Sequence, residues 1–321
     1  MKTDLSVIIV NWNTKELLKQ CIDSVQNETK RYSYEIIVAD NNSSDGSAEM
    51  VLRNFPYVRL IRNLENFGFA AANNHAINIA KGSHILLLNP DTLILDGATD
   101  KMMDEYVKKD FKGLLTCRLL NPDLSLQKSV NKFYSFFGSL LENRFFASVF
   151  SRKQVAGSNN MNLWDHSSRK EIDWARGAVL MFAREVKDAI GVLDENYYIY
   201  GEEIDFYYRA KKAGYKALFI PEAEIIHYGK ASSRQRRTEM FFQNYKSFYT
   251  FLKKNYPLPS YYIYRARTML FLVIWSMYYF MKVVLKGKPE TGTVSEDSQQ
   301  LKIYNKTIAW HFSKESKIKY A

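Results

Sequence analysis

The chain has 321 residues, 46% of them hydrophobic and 15% aromatic, which is enough for one large domain or one domain plus an appendage. Its two cysteines exclude a disulfide framework and suit a reducing cytoplasm. The formal net charge of +11 is uneven: residues 1–100 carry −3 and residues 228–321 carry +12. The first hundred residues are therefore not a nucleic-acid surface, whereas the basic tail suits anionic lipid, a phosphorylated substrate or nucleic acid.

Apolar runs of strand length alternate with helical patterns through the first hundred residues. The runs are residues 5–10, 34–39, 57–61 and 85–88, and three helical patterns separate them. Four alternations with short connections predict βαβ units with right-handed crossovers. We therefore expect an α/β fold with a mostly parallel sheet flanked by helices.

Polar loops follow three of these runs, at residues 11–13, 40–44 and 89–91. Pro90 ends its strand and leaves Asp91 near the carboxyl edge of the sheet. A carboxylate there either holds a hard divalent ion against a phosphate or caps the next helix. Three such loops on one edge predict a nucleotide-sized cleft. The chain has neither a Gly-x-Gly-x-x-Gly after the first strand nor a P-loop, which argues against dehydrogenases and P-loop kinases.

An unusually acidic segment begins after Gly201, with three carboxylates within four residues. On a helix, Glu202 and Asp205 share a face, as do Asp205 and Arg209, whereas Glu203 points elsewhere. One interpretation is that Glu203 faces the cleft as a general base while Asp205 and Arg209 hold the helix in place. The alternative is a helix N-terminus that is acidic to suit its dipole.

The remaining patterns are less specific. Residues 171–182 read as strand material around Trp174 and Arg176, and residues 217–221 read as an edge strand. A lone histidine after two isoleucines, such as His227, is more often a satisfied core residue than a ligand. The basic loop that follows contains Arg234 and Arg236 and would suit a flexible clamp on a diphosphate.

Several short segments in fixed order, across residues 4–235, resemble the family 2 glycosyltransferases, in particular the bacterial rhamnosyltransferase-like branch. The segments are Val7–Asn13, Asp40–Ser47, Asn66–Ala70, Leu88–Thr92, Gly177–Ala178, Asp194–Glu195, Gly201–Asp205 and His227. Each motif is weak alone, and the ordered set is specific. The resemblance implies a GT-A fold and an inverting transfer from a nucleotide-diphosphate sugar.

The resemblance also implies roles for individual residues. Glu203 matches the catalytic base, where many relatives carry Asp. Asp91 is the surviving carboxylate of the Asp-x-Asp motif and, with His227, would bind Mg²⁺ or Mn²⁺. The nucleotide-binding residues implied are Asn11, Asp40, Asn66, Gly68 and Asn89, with Asp40 at the nucleobase. The candidates at the acceptor, or in support, are Trp174, Arg176, Glu202, Asp205 and Arg209. The basic loop, and not the resemblance, suggests Arg234 and Arg236 at the diphosphate.

The C-terminal part reads as a basic helical extension, residues 236–321, after a catalytic domain of residues 1–235. Residues 268–285 are apolar but short for a membrane span and contain Lys282, which favours a re-entrant or interfacial helix over a span. Packing on the catalytic domain or in a dimer is the alternative. Residues 287–300 read as a polar loop.

Three functions compete on these features. The first is an inverting glycosyltransferase that uses dTDP-rhamnose or a UDP-hexose and a glycan or lipid-linked acceptor of cell-surface polysaccharide synthesis. It would be cytoplasmic and peripheral at the inner face of the cell membrane, with no nucleic-acid partner and with homo-oligomerisation open. The second is a sugar nucleotidyltransferase, although no Gly-rich, Lys/Arg-containing loop follows the first strand. The third is a non-catalytic scaffold on the same fold, against which the intact acidic segment argues.

Overall fold

The structure is a computed structural model that describes residues 3–133, 164–229, 237–286 and 296–313. The chain divides into two compact units. The first comprises residues 1–198 and 202–232, and the second comprises residues 199–201 and 233–321. The predicted domain boundary after residue 235 stays a prediction.

The first unit is a mixed α/β structure. Its strands are β1 (Leu5–Asn11), β2 (Tyr34–Asp40), β3 (Arg59–Arg62), β4 (His84–Leu88), β5 (Thr92–Leu95), β6 (Gly113–Leu120), β7 (Leu126–Gln127), β8 (Val130–Asn131), β9 (Lys170–Ile172), β10 (Trp174–Ala175), β11 (Val179–Ala183) and β12 (Lys216–His227). Its helices are α1 (Lys15–Glu28), α2 (Ser47–Asn54), α3 (Phe69–Ile79), α4 (Ala98–Lys109), α5 (Arg184–Ile190) and α6 (Glu202–Lys212).

Ten strands form one sheet with the order β3-β2-β1-β4-β11-β6-β12-β5, to which β7 and β9 add by pairing with β6 and β12. Strands β1 to β4 are mutually parallel, as the alternating pattern predicts, and β11 joins antiparallel between β4 and β6. All seven residues of β1 are buried, because both faces of this part of the sheet are covered. The predicted α/β fold class is confirmed.

Two local predictions are wrong. Residues 217–221 were expected at a sheet edge, but β12 pairs with β6 on one side and with β9 and β5 on the other. A register shift between Ile220 and Glu224 accommodates Pro221, which has no N–H for the ladder. The alternative that Asp91 caps a helix also fails, because strand β5 follows it directly.

The second unit is helical, with α7 (Arg237–Asn255), α8 (Leu258–Lys286) and α9 (Glu296–Phe312). The predicted polar loop over residues 287–300 ends too late, since α9 begins at Glu296, where acidic residues suit a helix N-terminus. Among the described residues, α8 is the one helix long and apolar enough to cross a membrane, by length and composition alone.

Candidate active site

The ends of β1 and β2 bring Asn11 and Asp40 together. The two residues are paired in the parallel register, and the Asn11 Nδ2 donates to Asp40 Oδ1 at 2.9 Å. The second carboxylate oxygen of Asp40 accepts from the backbone N–H of Ser43 at 3.0 Å. Both side chains are buried, so these hydrogen bonds fix their orientation at the start of the predicted nucleotide loops. The carboxylate keeps acceptor capacity beyond these two bonds.

Asn41, which follows Asp40, holds the predicted nucleotide residues Asn66 and Gly68. The Asn41 Nδ2 donates to Asn66 Oδ1 at 3.1 Å and to the carbonyl of Gly68 at 2.9 Å. Gly68 has φ +86°, and a Cβ there would clash with the carbonyl of Tyr198, which accepts from the N–H of Phe69 at 2.7 Å. Glycine is therefore required at 68 for backbone conformation and for space. Asn41 and Tyr198 hold this turn in place, a role that no sequence pattern indicated.

Strand pairing far apart in the sequence joins the two predicted metal ligands. His227 ends β12 opposite Thr92 of β5, and its Nε2 lies 3.4 Å from the Asp91 Oδ1. The N–H of Tyr228 donates to the main-chain oxygen of Asp91 at 2.9 Å. Asn89 lies two residues before Asp91, directly after β4, and its N–H donates to the carbonyl of Ala178 at 3.0 Å. The structure therefore brings Asp91 and His227 together as the resemblance implied.

Gln127 fixes the ring of His227, and no sequence signal pointed to it. The Gln127 Nε2 donates to the Asn121 Oδ1 and to the His227 carbonyl, both at 3.0 Å. Its Oε1 must therefore accept, and it lies 2.7 Å from the His227 Nδ1. A hydrogen on Nδ1 leaves the lone pair of a neutral ring on Nε2, which faces Asp91.

This arrangement fits a divalent cation. When the ring is neutral, a carboxylate oxygen and an imidazole lone pair repel at 3.4 Å, and a divalent cation between them would relieve that repulsion. Two ligands at about 2.1 Å from one ion are separated by about 3 Å when they are adjacent in an octahedron. No cluster of three or more His, Cys, Asp or Glu forms among the described residues. Mg²⁺ typically completes such a sparse site with water and substrate phosphates.

We expect Gln127→Leu to weaken Mn²⁺ binding about tenfold, because the variant loses the partner that orients the His227 ring. Mn²⁺ titration followed by electron paramagnetic resonance, in the presence of a nucleoside diphosphate, measures the affinity. Ser125→Ala is the matched control, since it removes hydrogen bonds from the same hairpin that do not touch His227. Equal affinities for both variants would remove Gln127 from the site.

The acidic segment forms the first turn of α6. Glu203 is half-buried and packs on Gly177, where an added Cβ would lie 3.6 Å from the Glu203 Cβ and 3.8 Å from its Cδ. Gly177 precedes Ala178, whose carbonyl binds the N–H of Asn89. Glu203 therefore lies near the carboxyl end of β4, where Asn89 leads on to Asp91.

Glu202 differs from Glu203 in its surroundings. It is 4% exposed, and its Oε2 has no hydrogen-bond partner among the described residues. Burial, and then the charge of Glu203, raise the pKa of Glu202 well above its usual range. Burial therefore disfavours a negative charge on Glu202 more than on the half-buried Glu203.

The buried Asp205 and the half-buried Arg209 form a brace, an ion pair that holds helix α6 in place. The Arg209 Nε donates to the Asp205 Oδ2 at 2.7 Å, and its terminal nitrogens donate to the carbonyls of Ile190 and Val192. The pair anchors α6 against the end of α5. It acts on the site through the helix that carries Glu203.

The other predicted acceptor residues lie on the segment between β8 and β11. The Trp174 Nε1 donates to the Lys132 carbonyl at 2.9 Å, which fixes the ring, and Arg176 is exposed next to Gly177. The predicted diphosphate clamp, Arg234 and Arg236, lies outside the described residues.

The chain is similar to a described protein family and to named members of it. The family described as glycosyl transferase family 2 matches residues 6–160. An N-acetylglucosaminyl-diphospho-decaprenol L-rhamnosyltransferase of Mycobacterium tuberculosis is 25% identical over 259 residues, which cover 77% of this chain and 83% of the relative. Over residues 6–160 the chain is therefore similar to the family 2 glycosyltransferases.

Two other proteins are similar to this chain. The low-salt glycan biosynthesis hexosyltransferase Agl10 of Haloferax volcanii is 25% identical over 253 residues, 77% of this chain and 74% of that protein. The crystal structure of GalNAc-T7 with UDP, GalNAc and Mn²⁺ superposes with a TM-score of 0.51 at 17% identity, over 70% of this chain and 43% of that one. That likeness supports the fold alone.

Proposed function

We propose that this glycosyltransferase moves a sugar, with inversion, from a nucleoside-diphosphate donor to a hydroxyl of a glycan or lipid-linked acceptor. The observation that carries the proposal is the position of the half-buried Glu203, which packs on Gly177 near the sheet edge that holds Asp91 and His227. The relatives' names favour a rhamnosyl or hexosyl donor, so dTDP-rhamnose and a UDP-hexose are both proposed for test.

The loops after β1, β2 and β3 would hold the nucleotide. Asn11 and Ser43 hold the Asp40 carboxylate in a fixed orientation, where its remaining lone pairs accept from a base N–H. Asn41 holds the turn with Asn66 and Gly68 that would contact the nucleotide. Because these groups are already hydrogen-bonded in the free protein, donor binding would cost little reorganisation.

Glu203 would act as the general base. Its carboxylate accepts the proton of the acceptor hydroxyl while the hydroxyl oxygen attacks the anomeric carbon opposite the leaving group. The bond between that carbon and the diphosphate oxygen breaks, and its electron pair leaves with the nucleoside diphosphate. One displacement without an enzyme nucleophile inverts the anomeric centre, and its transition state would be oxocarbenium-like.

A divalent ion held by Asp91 and His227 would supply neutralisation of the charge that develops on the diphosphate. The residues of the chain account for the rest. Gln127 keeps the Nε2 lone pair of His227 directed at Asp91, and the Asp205–Arg209 brace keeps α6 in place.

A panel of nucleotide-sugars with and without Mg²⁺ or Mn²⁺ tests the proposal by thermal shift. A donor at a hundred times its dissociation constant stabilises the native state by about 2.7 kcal/mol, so a metal-dependent rise in melting temperature is expected with one donor class. Product analysis separates the alternatives, because a transferase releases a nucleoside diphosphate and a nucleotidyltransferase releases pyrophosphate. If no donor shifts the melting temperature, with or without candidate acceptor, the scaffold hypothesis replaces this one.

We also propose that the enzyme works at the inner face of the cell membrane, where a lipid-linked acceptor would lie. The basic C-terminal part, with +12 over residues 228–321, suits an anionic leaflet. The name of the mycobacterial relative, which includes a diphospho-decaprenol, supports a lipid-linked acceptor.

A further inference from the structure

Helix α8 carries a continuous exposed apolar surface, which we call the apolar stripe. It runs from Leu270 to Leu285, and its centre line is formed by Leu270, Ile274, Met277, Met281 and Val284. At 3.6 residues per turn, the exposed apolar side chains of this segment occupy about half of the helix circumference. The most apolar window of the helix has a mean hydropathy of 1.7 and is only 11% buried. A surface of this extent on a folded protein normally has a partner.

The opposite half of α8 already has its protein partner, α9. Leu272 is fully buried, and the Ser276 Oγ donates to the Asn305 Oδ1 at 2.6 Å. The Tyr279 ring stacks on Tyr304 with centroids 5.7 Å apart. The two helices therefore form a packed pair, and the apolar stripe is the face of α8 that does not contact α9.

Charge distinguishes the two candidate occupants of the stripe, which are a lipid surface and a second copy of the chain. Helix α8 contains four Lys or Arg and no Asp or Glu. Arg267 precedes the stripe, where a cation would meet lipid headgroups. A second copy would instead bring two segments of +12 together.

We propose that the apolar stripe lies in the interface of an anionic membrane, with α8 parallel to the membrane plane. A spanning orientation would carry α9 into the hydrocarbon as well. Lys302 and Lys306 are exposed on α9, and each lysine at the centre of a bilayer lowers partitioning about a hundredfold. An in-plane orientation immerses the stripe and leaves both lysines in water.

Vesicle binding by the full chain tests the occupant. We expect co-sedimentation with vesicles that contain phosphatidylglycerol, and binding at least tenfold weaker for Ile274→Asp with Met277→Asp, because these carboxylates would enter the interface. The matched control is Gln299→Asp with Ala309→Asp, which adds the same charge to exposed positions of α9. Circular dichroism melting checks that both variants fold, as exposed positions should allow.

Two results would overturn the lipid assignment. One is equal vesicle binding by the two double variants. The other is a wild-type dimer in light scattering that the Ile274→Asp, Met277→Asp variant abolishes, which would assign the stripe to a second copy.

Depth measurements test the orientation. Both native cysteines, Cys21 and Cys117, are buried, so spin labels can be placed singly at Leu270→Cys, Met277→Cys and Val284→Cys. These side chains are 61%, 63% and 60% exposed and point in similar directions. Power saturation should give equal immersion depths for an in-plane helix. A depth maximum at the middle label would overturn the in-plane orientation in favour of a span.

This inference deepens the proposed location of the acceptor and rests on the proposed function only for that link. Donor and acceptor are absent from the vesicle and depth experiments. Their failure would therefore leave the transferase proposal intact, and a failed donor panel would leave the membrane proposal intact.

Discussion

Glu203→Gln should lower the rate of sugar transfer by ~10²–10⁴-fold, the usual contribution of a positioned general base. The amide keeps the size of the side chain against Gly177 and removes its ability to take the acceptor proton. Donor and metal bind at residues outside α6 in the proposal, so their affinities should be unchanged. Initial rates of nucleoside diphosphate release, with donor titration by calorimetry, measure both quantities.

Glu202→Gln is the matched control for this experiment. Burial, and then the Glu203 charge, raise the pKa of Glu202 and favour its neutral form, which an amide resembles. We expect a small change in rate and an unaltered pH profile. If Glu202→Gln lost transfer and Glu203→Gln kept wild-type turnover, the roles of the two carboxylates would be exchanged.

The difference between these adjacent carboxylates was accessible from the sequence. Helical periodicity puts Glu202 and Asp205 on one face and Glu203 on another, and the structure buries the first two while Glu203 stays half-buried. Local spacing suffices here because all three residues belong to one helix. The parallel strands β1 to β4 were predictable for a related reason, since each is a short apolar run between turn residues.

Long-range pairing was not accessible in the same way. The residues next to His227 in the sequence are typical of a core histidine, and only the family resemblance suggested that it is a metal ligand. It meets Asp91 because β12 and β5 pair across more than a hundred residues of sequence. No sequence pattern indicated Gln127, because it contacts His227 only through the folding of the hairpin that contains β7. The edge prediction for residues 217–221 failed for the same reason, because the sequence does not reveal that β9 and β5 cover β12.

Asp91→Asn should have the other large effect, a loss of about a thousandfold in kcat/KM. Metal neutralisation of a leaving diphosphate is worth several kcal/mol, and the amide removes the one carboxylate of the proposed pair. The fold should persist, since the main-chain oxygen of Asp91, rather than its side chain, accepts from Tyr228. Kinetics across a Mn²⁺ titration and the metal dependence of the donor thermal shift measure the loss.

A double-variant cycle with His227→Asn identifies what Asp91 and His227 do together. If both bind one ion, removing either ligand removes most of its effect, so the double variant should be little worse than each single variant. If the 3.4 Å contact is instead a simple ion pair between a protonated imidazole and a carboxylate, metal affinity should not change in any variant. Asp91→Asn would then lower only the melting temperature, because the variant loses the ion pair. The metal titration therefore separates a catalytic site from a structural contact.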